Sequence, residues 1–294
     1  MTLIAADSFD SAAGAEIRDR LIEADCLPGN IHWLEKGKAL EFRLSGPRER
    51  ALEALQVYQD RADIVAQLHK NRRKMLLVSD MDSTMITVEC IDELADYAGI
   101  KPQIAEVTER AMQGELDFGE ALRARVALLK GLDEAMIARC LSERVTPTAG
   151  AETLVKTMAG WGAHCVLVSG GFVQFANHVA AQIGFHEAKA NMLSIAGGKL
   201  TGEVDGDIVD AEAKRALLKA RSEEKQISPA AVLAVGDGAN DIPMIASAIE
   251  GGGLGAAYHA KPKAAEAANF AIRHGDLTAL LYAQGIPKAD WVQV

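Results

Sequence analysis

Four short apolar runs, separated by helical segments, constrain the fold of this chain more than any other feature of its sequence. Each run ends in polar or glycine-rich sequence, and the four are Met75–Ser79, His164–Ser169, Ala231–Gly236 and Gly253–Ala257. Continuous apolar runs of this kind are typical of parallel strands that are covered by helices on both faces of a sheet. We therefore predict an α/β fold in which the polar strand ends gather at one edge of a parallel sheet.

Other parts of the chain depart from this alternation of apolar runs and helical segments. The stretch between the first two runs, about 80 residues long, has helical periodicity and almost no strand signal, and it is too long for one crossover helix. We predict that it forms a helical cap, inserted at about residues 87–145 into a core domain of residues 73–294. Residues 1–72 are predicted to form a small α+β domain, and the basic segment His69–Lys74 at its end is predicted to be a solvated linker.

The predicted N-terminal domain has βαββα order. Its strands are expected at Thr2–Ala6, Ile31–Leu34 and Ala39–Leu44, and its helices at Ser11–Ala24 and from Gly46 through about Leu68. Farther along the chain, two short runs flank a pair of glycines and predict a β-hairpin, at Met192–Ile195 and Lys199–Glu203.

The composition argues against several classes of function. A net charge of −10 argues against non-specific nucleic-acid binding, which relies on a basic surface. No apolar run reaches the roughly 18 residues of a membrane span, and residues 1–10 lack the basic start and apolar block of a signal peptide. The four cysteines lack CxxC spacing and favour reduced thiols in the cytoplasm, while the seven histidines lack HExxH spacing and make a zinc site improbable.

The first candidate site follows the first apolar run, where Asp80 and Asp82 lie in the sequence DMDST. Ligands of open α/β sheets bind at the carboxyl ends of the strands, so this pair stands where chemistry is expected. Two carboxylates at such a place can hold a hard cation and can supply a nucleophile and a proton donor. An acidic loop that binds only water is the ordinary alternative for so short a motif.

Three further groups of polar residues follow along the chain. Ser169–Gly171 ends the second run, and a hydroxyl beside glycines and a helix start can donate hydrogen bonds to a phosphate. Lys214 lies at a predicted helix start, where its ammonium would offset phosphate charge if it points at an anion. Asp237 and Asp241 lie in GDGAND after the third run, and their oxygen ligands suit Mg²⁺. Taken one at a time, these groups have ordinary alternatives: a turn, a solvated lysine and an acidic helix cap.

Taken together, DMDST, SGG, the isolated lysine and GDGANDIPM resemble the motifs of the haloacid-dehalogenase (HAD) superfamily of phosphohydrolases, over about residues 75–275. The resemblance implies a Rossmann-like core with helices on both faces of the sheet, and an enzyme that forms an aspartyl-phosphate. Asp80 would be the nucleophile, and Asp82 would protonate the leaving oxygen and then accept a proton from water. Mg²⁺ would be held by the carboxylates of Asp80 and Asp237 and by the main-chain carbonyl of Asp82.

The same resemblance assigns the groups around the phosphate. Three of them would bind its equatorial oxygens, where transition-state charge spreads: the Ser169 hydroxyl, the Gly170 N–H and the Lys214 ammonium. Asn240 would lie near the phosphate. Asp241 would orient the metal shell or Lys214, and Thr84 would help to position the phosphate loop.

The predicted cap narrows the resemblance to one family within this superfamily. Its segments VECIDELADYAG and MQGELDFGEALRARVALLKG are similar to those of phosphoserine phosphatases, a family of that superfamily. The similarity implies that Glu89 meets the substrate ammonium and Arg125 its carboxylate, while Met112 and Phe118 line the pocket. A guanidinium can bind both oxygens of a carboxylate, and Phe118 and Arg125 are spaced to share one helix face. The alternatives are that Phe118 is cap core, Arg125 a surface charge and Glu89 a helix cap.

These expectations describe an enzyme that hydrolyses O-phosphoserine, the last step of serine biosynthesis. One rival is a HAD phosphatase or phosphotransferase that acts on another small phosphomonoester, and another is a regulatory protein with a silent core. An ion-pumping ATPase is excluded by the absence of predicted spans. The N-terminal domain loosely resembles ACT-type small-molecule-binding domains, which would allow serine feedback and a homodimer.

Overall fold

The computed structural model describes residues 1–294, except for the side chain of Met112. Six elements form its N-terminal unit: β1 (Thr2–Ala5), α1 (Ala13–Glu23), β2 (His32–Glu35), β3 (Ala39–Glu41), α2 (Arg48–Ala54) and β4 (Ala62–Val65). The strands form an antiparallel sheet in the order β2-β3-β1-β4. This βαββαβ order is that of a ferredoxin-like unit.

The predicted helix through about Leu68 is wrong. The helix ends at Ala54, a 3-10 turn follows at Gln56–Tyr58, and the chain then enters β4. This short strand carries the buried Asp63, whose carboxylate accepts the backbone N–H groups of residues 273–275. Because these partners come from the far end of the chain, the local sequence gives no sign of a strand here.

The second sheet forms the core. Its seven strands are β5 (Leu76–Ser79), β6 (His164–Phe172), β7 (Glu187–Ala196), β8 (Lys199–Asp205), β9 (Val232–Gly236), β10 (Leu254–Tyr258) and β11 (Phe270–Ile272). Their order is β11-β10-β9-β5-β6-β7-β8, and all neighbours are parallel except the β7–β8 hairpin. The parallel α/β fold and the hairpin are thus as predicted, whereas β11 is an addition.

Ten α-helices lie in the described part of the chain beyond the N-terminal unit. They are α3 (Cys90–Tyr97), α4 (Lys101–Met112), α5 (Phe118–Leu128), α6 (Ala135–Glu143), α7 (Ala151–Gly160), α8 (Val173–Ile183), α9 (Ala211–Glu224), α10 (Ile242–Glu250), α11 (Pro262–Ala267) and α12 (Ala279–Ala283). Throughout the described residues, we find no helix with the length and apolar character that crossing a membrane requires.

Successive side chains of the central strand β5 point to opposite faces of the sheet, and all of them are buried. Leu77 belongs to the apolar cluster that α7 and α8 complete, whereas Leu76 and Val78 belong to the one that α9 and α10 complete. The helices therefore cover the sheet on both sides. Its carboxyl edge stays open to ligands, and β5 delivers the residues after Ser79 to that edge.

Helices α3 to α6 lie between β5 and β6, as the prediction of an inserted helical cap requires. The chain enters and leaves this helical region side by side. The N–H of Thr87 donates to the carbonyl of Thr146 at 3.1 Å, and the N–H of Thr148 donates to the carbonyl of Met85 at 2.9 Å. These crossing bonds place the base of the helical region directly after the strand end that carries Asp80.

The segment that joins the two parts is only partly solvated. His69, Lys70 and Arg73 are exposed, but the prediction of a solvated linker is wrong for Arg72 and Lys74. Arg72 forms an ion pair with Glu41 and donates a hydrogen bond to the hydroxyl of Thr2. Lys74 is only 2% exposed. Arg72 also donates to the carbonyl of Ala283 at 2.9 Å, so this one side chain fastens the N-terminal unit to the core.

Candidate active site

Asp82 is held from two directions in the turn that follows β5. Its Oδ1 accepts the N–H of Cys90 at 2.9 Å, and its Oδ2 accepts the hydroxyl of Ser169 at 3.1 Å. Burial raises the pKa of Asp82 above its ordinary value, although these partners and Lys214 act in the opposite direction. A fixed carboxyl group with a raised pKa is suited to donate a proton and then to accept one.

Lys214 lies fully buried between two carboxylates. Its Nζ donates to Asp80 Oδ1 at 2.6 Å and to Asp241 Oδ1 at 2.7 Å. Burial acts to lower the pKa of Lys214, but these carboxylates outweigh it and hold the pKa above its ordinary value. Burial, and next the Asp241 carboxylate, raises the pKa of Asp80 well above its ordinary value. One ammonium therefore serves two buried carboxylates and leaves negative charge uncompensated.

The turn after β9 carries Asp237 and Asp241. Asp241 Oδ2 accepts the N–H of Asp237 at 3.2 Å and that of Gly238 at 3.0 Å, so this side chain fixes the turn. The hydroxyl of Thr84 donates to Asp237 Oδ1 at 3.2 Å. Thr84 therefore contacts an acidic residue of the site, and its role in positioning the phosphate loop stays a prediction. Burial, and next the Asp241 carboxylate, raises the pKa of Asp237.

These carboxylates form a group that fits a divalent cation. Asp80, Asp237 and Asp241 each offer one oxygen, and the three oxygens lie within 4.8 Å of one another. Burial, and next the Asp241 carboxylate, raises the pKa of both Asp80 and Asp237, and a divalent cation would neutralise this concentration of negative charge. Both oxygens of Asp241 already accept hydrogen bonds. By comparison, the described hydrogen bonds engage one oxygen of Asp80 and one of Asp237.

The strand β6 bulges at Ser169–Gly171. The register between β6 and β7 shifts there, so that these three residues lie opposite a single residue of β7. Inside the bulge, the N–H of Gly171 donates to the Ser169 hydroxyl at 2.8 Å. A Cβ at Gly171 would lie 2.6 Å from the Asp82 carboxylate. The close approach of this backbone to Asp82 therefore requires glycine.

A cavity of about 420 Å³ opens between the strand ends and the helical region. Most of the predicted site residues line it, namely Asp80, Asp82, Glu89, Phe118, Arg125, Ser169, Gly170, Asp237 and Asn240. Lys214 contacts the Asp80 carboxylate and Thr84 contacts that of Asp237, while Asp241 accepts the backbone N–H of Asp237. The side chain of Met112 lies outside the described part of the chain, so its role remains a prediction.

Glu89 stands at the start of α3, yet in the described structure its carboxylate makes no capping hydrogen bond to that helix. Its Oε1 accepts the hydroxyl of Ser83 at 2.6 Å. Burial, and next the Asp82 carboxylate, raises the pKa of Glu89 to about 7. The alternative role of a helix cap therefore fails, and Glu89 is a cavity carboxylate that would gain from a neighbouring cation.

Phe118 and Arg125 both face the cavity from α5, as their spacing predicts. Phe118 reaches the bulge at Ser169–Gly171, which we call the phosphate loop, since a Cβ at Gly170 would lie 2.8 Å from the Phe118 Cζ. Burial lowers the pKa of Arg125, and the Asp92 and Glu89 carboxylates oppose that shift. Arg125 is thus a partly buried cation of the cavity, and not a fully exposed surface charge.

Lys261 also lines the cavity, although no motif in the sequence indicates it. Its N–H donates to the carbonyl of Asp237 at 3.0 Å, directly before α11. Among the described lining residues, Arg125 and Lys261 are the two that carry a positive charge. The one available signal was its position shortly after the strand β10, at the same edge of the sheet as the other site residues.

Comparisons with known proteins agree with this geometry. A family model of haloacid dehalogenase-like hydrolases matches residues 77–246. The phosphoserine phosphatase of Streptomyces coelicolor is 42% identical over 287 residues, which are 95% of this chain and 68% of that protein. A crystal structure of a probable phosphoserine phosphatase from Vibrio cholerae, in its unliganded form, has a TM-score of 0.79 at 33% identity and covers 98% of this chain and 87% of that one. A structure of a phospho-aspartyl intermediate analogue of phosphoserine phosphatase has a TM-score of 0.65 at 38% identity, over 71% of this chain and 98% of that one.

The family model spans more than half of the chain, which therefore belongs to the haloacid dehalogenase-like hydrolases. The parallel sheet and the carboxylate group at its open edge are the features that define this class here. Within it, the chain is a member of the phosphoserine phosphatase family, because relatives of that name match nearly its whole length.

Proposed function

We propose that this chain hydrolyses O-phosphoserine to serine and inorganic phosphate through an aspartyl-phosphate on Asp80. One observation carries the proposal: the cavity joins the carboxylates and phosphate loop of the core to a carboxylate, Glu89, and a guanidinium, Arg125, from the helical region. Phosphoserine carries a phosphate, an ammonium and a carboxylate at separate points. The cavity offers a partner of suitable charge for each of them.

The first step transfers the phosphoryl group to Asp80. Its carboxylate oxygen attacks phosphorus as the bond to the serine oxygen breaks, and Asp82 gives its proton to that departing oxygen. In the second step, a water oxygen attacks phosphorus and Asp82 accepts the water's proton. The bond to Asp80 then breaks, and phosphate leaves. The hydrogen bonds from Cys90 and Ser169 keep the Asp82 carboxyl fixed through both steps.

Charge on the phosphoryl group is met by donors from the core. The Ser169 hydroxyl, the Gly170 N–H and the Lys214 ammonium would bind the equatorial oxygens, with Asn240 nearby. Lys214 also contacts the nucleophile Asp80 at 2.6 Å, so one ammonium can hold both reacting partners. Asp241 fixes that ammonium from its other side.

We propose Mg²⁺ as the divalent cation, held by the carboxylates of Asp80 and Asp237 and by the main-chain carbonyl of Asp82. When bound, it would screen the repulsion between the anionic nucleophile and the phosphate. Asp241 would act on this site from outside, by fixing the turn that carries Asp237.

The proposal is tested by phosphate release from phosphoserine, phosphothreonine, glycerol 3-phosphate and p-nitrophenyl phosphate, with Mg²⁺ and then with EDTA. We expect kcat/KM for phosphoserine to exceed that for the aryl phosphate by roughly 100-fold, because two charged contacts depend on the amino acid part. EDTA should abolish both activities. Equal rates on all four esters would favour the alternative, a phosphatase or phosphotransferase for another small phosphomonoester.

We further propose that the N-terminal unit is an ACT-like domain that supports a homodimer and serine feedback, and that the chain acts in the cytoplasm. The βαββαβ order of this unit and the four cysteines without CxxC spacing support these proposals. Light scattering tests the homodimer, and rates measured with added serine test the feedback. The mass of a single chain, together with a rate that serine leaves unchanged, would contradict both.

A further inference from the structure

Asn191 is a buried amide on β7 that joins the phosphate loop to the segment before α9. Its Nδ2 donates to the carbonyl of Gly170 at 2.8 Å, and its Oδ1 accepts the N–H of Val209 at 2.8 Å. The residue is 1% exposed. Because a carbonyl can only accept and a backbone N–H can only donate, these two partners define which end of the amide is which.

The bulge in β6 is the reason that such a side chain is needed. Val168 lies opposite Lys189 and Phe172 lies opposite Asn191, so the ladder is interrupted over Ser169–Gly171. A bulge leaves the extra residues without their usual ladder partners. The Asn191 amide satisfies the Gly170 carbonyl and thereby fixes the peptide groups that form the loop.

The second bond reaches the helix that carries Lys214. Val209 directly precedes Asp210, whose side chain caps α9 by accepting the N–H of Ala213 at 2.8 Å. Lys214 follows in the first turn of that helix and contacts Asp80. One side chain on β7 is therefore bonded both to the phosphate loop and to the start of the lysine helix.

We infer that Asn191 is a positioning residue for phosphoryl transfer, which holds the Gly170 peptide and the start of α9 so that the loop and Lys214 meet the same phosphate. The inference rests on the proposed phosphatase function. It concerns the phosphoryl group alone and makes no use of Glu89 or Arg125. The loss of Asn191 should therefore affect every phosphomonoester alike.

The test is the Asn191→Asp variant. A carboxylate can still accept the Val209 N–H, but it cannot donate to the Gly170 carbonyl. We expect kcat to fall by about 10- to 100-fold on both phosphoserine and p-nitrophenyl phosphate, because misplaced supporting groups typically cost that much. The inhibition constant of inorganic phosphate should rise by about tenfold, since the same groups would bind the product.

Asn269 provides a matched control. Its Oδ1 accepts the N–H of Gly255 at 3.0 Å and its Nδ2 donates to the carbonyl of Gly253 at 3.3 Å, at the opposite end of the sheet from the cavity. Asn269→Asp should lower the melting temperature as Asn191→Asp does, but it should leave kcat and phosphate inhibition unchanged. If circular dichroism shows that Asn191→Asp is unfolded, Asn191→Ser is measured in its place, with the same expectation.

Wild-type kcat in Asn191→Asp would overturn the inference, and so would a loss confined to phosphoserine. An equal loss of kcat in Asn269→Asp would also overturn it, because both effects would then be structural. If the wild-type enzyme shows no preference for phosphoserine, the proposed substrate fails. The p-nitrophenyl phosphate rates of Asn191→Asp and Asn269→Asp would still test the role of Asn191 in that case.

Discussion

Replacing Lys214 by methionine removes the ammonium that contacts both Asp80 and Asp241, at 2.6 and 2.7 Å. The side chains of Lys214 and Asp241 are 0% exposed and that of Asp80 is 6% exposed. Removing one partner of a buried ion pair typically costs about 3–5 kcal/mol, because the remaining charge stays buried without compensation. We therefore expect Lys214→Met to lose about that much unfolding free energy in metal-free buffer, and to lose phosphatase activity.

A second substitution tests the cause of that loss. In Lys214→Met/Asp241→Asn, the amide oxygen can still accept the N–H groups of Asp237 and Gly238, while one uncompensated carboxylate is gone. The double variant should recover about 1–3 kcal/mol of unfolding free energy relative to the single variant, since neighbouring buried groups couple by about this amount. It should recover no activity, because the ammonium that would bind the phosphate is still missing.

Urea unfolding followed by circular dichroism in EDTA gives the free energies, and phosphate release in Mg²⁺ gives the activities. Lys219→Met is the matched control, because Lys219 lies exposed on the same helix. An unfolding free energy of Lys214→Met within about 1 kcal/mol of the wild-type value would refute this reasoning. A double variant less stable than Lys214→Met would refute it as well.

Three other outcomes are expected. Asp80→Asn should abolish turnover and the trapping of a phosphoenzyme, and residual activity above a few percent would contradict the nucleophile assignment. Gly171→Ala should lower kcat by about 100-fold, because the new methyl group would lie 2.6 Å from the Asp82 carboxylate; unchanged kinetics would contradict the geometry. Burial lowers the pKa of Lys74 to about 8, so its charged form is disfavoured in the folded chain. Lys74→Met should thus raise the unfolding free energy at pH 7 by about 1 kcal/mol, a small value because the variant also loses the hydrogen bond that the ammonium donates to the carbonyl of Ala230 at 2.9 Å. The advantage over the wild type should shrink as the pH rises from 8 towards about 10, where the unfolded chain still holds the proton; a difference independent of pH would count against it.

The strand ends of the site could be predicted because two local signals coincide there. Continuous apolar runs mark strands buried on both faces, and Asp80, Ser169 and Asp237 follow such runs or end them. Parallel strands then bring their carboxyl ends to one edge, whatever the distance along the chain. The structure places these three residues around one cavity.

Other features depend on partners that no local pattern reveals. The strand β4 contains the acidic Asp63, whose hydrogen-bond partners lie about two hundred residues away in the sequence. Asn191 sits in a strand with two partners on different elements, so its sequence neighbourhood does not indicate a role. Lys261 has no motif around it. The roles of such residues can be recognised only from the folded structure.

Whether the helical region selects phosphoserine is tested most directly by comparing two arginines of α5. Arg125 lines the cavity, whereas Arg123 is exposed and does not belong to the described cavity lining. The measurement is kcat/KM for phosphoserine and for p-nitrophenyl phosphate in Arg125→Ala and Arg123→Ala. We predict that Arg125→Ala lowers the phosphoserine value by about 100-fold, the worth of a bidentate charged contact, and spares the aryl phosphate. Arg123→Ala should change neither value. Equal losses on both substrates in Arg125→Ala, or no loss on phosphoserine, would contradict the proposed recognition of the substrate carboxylate.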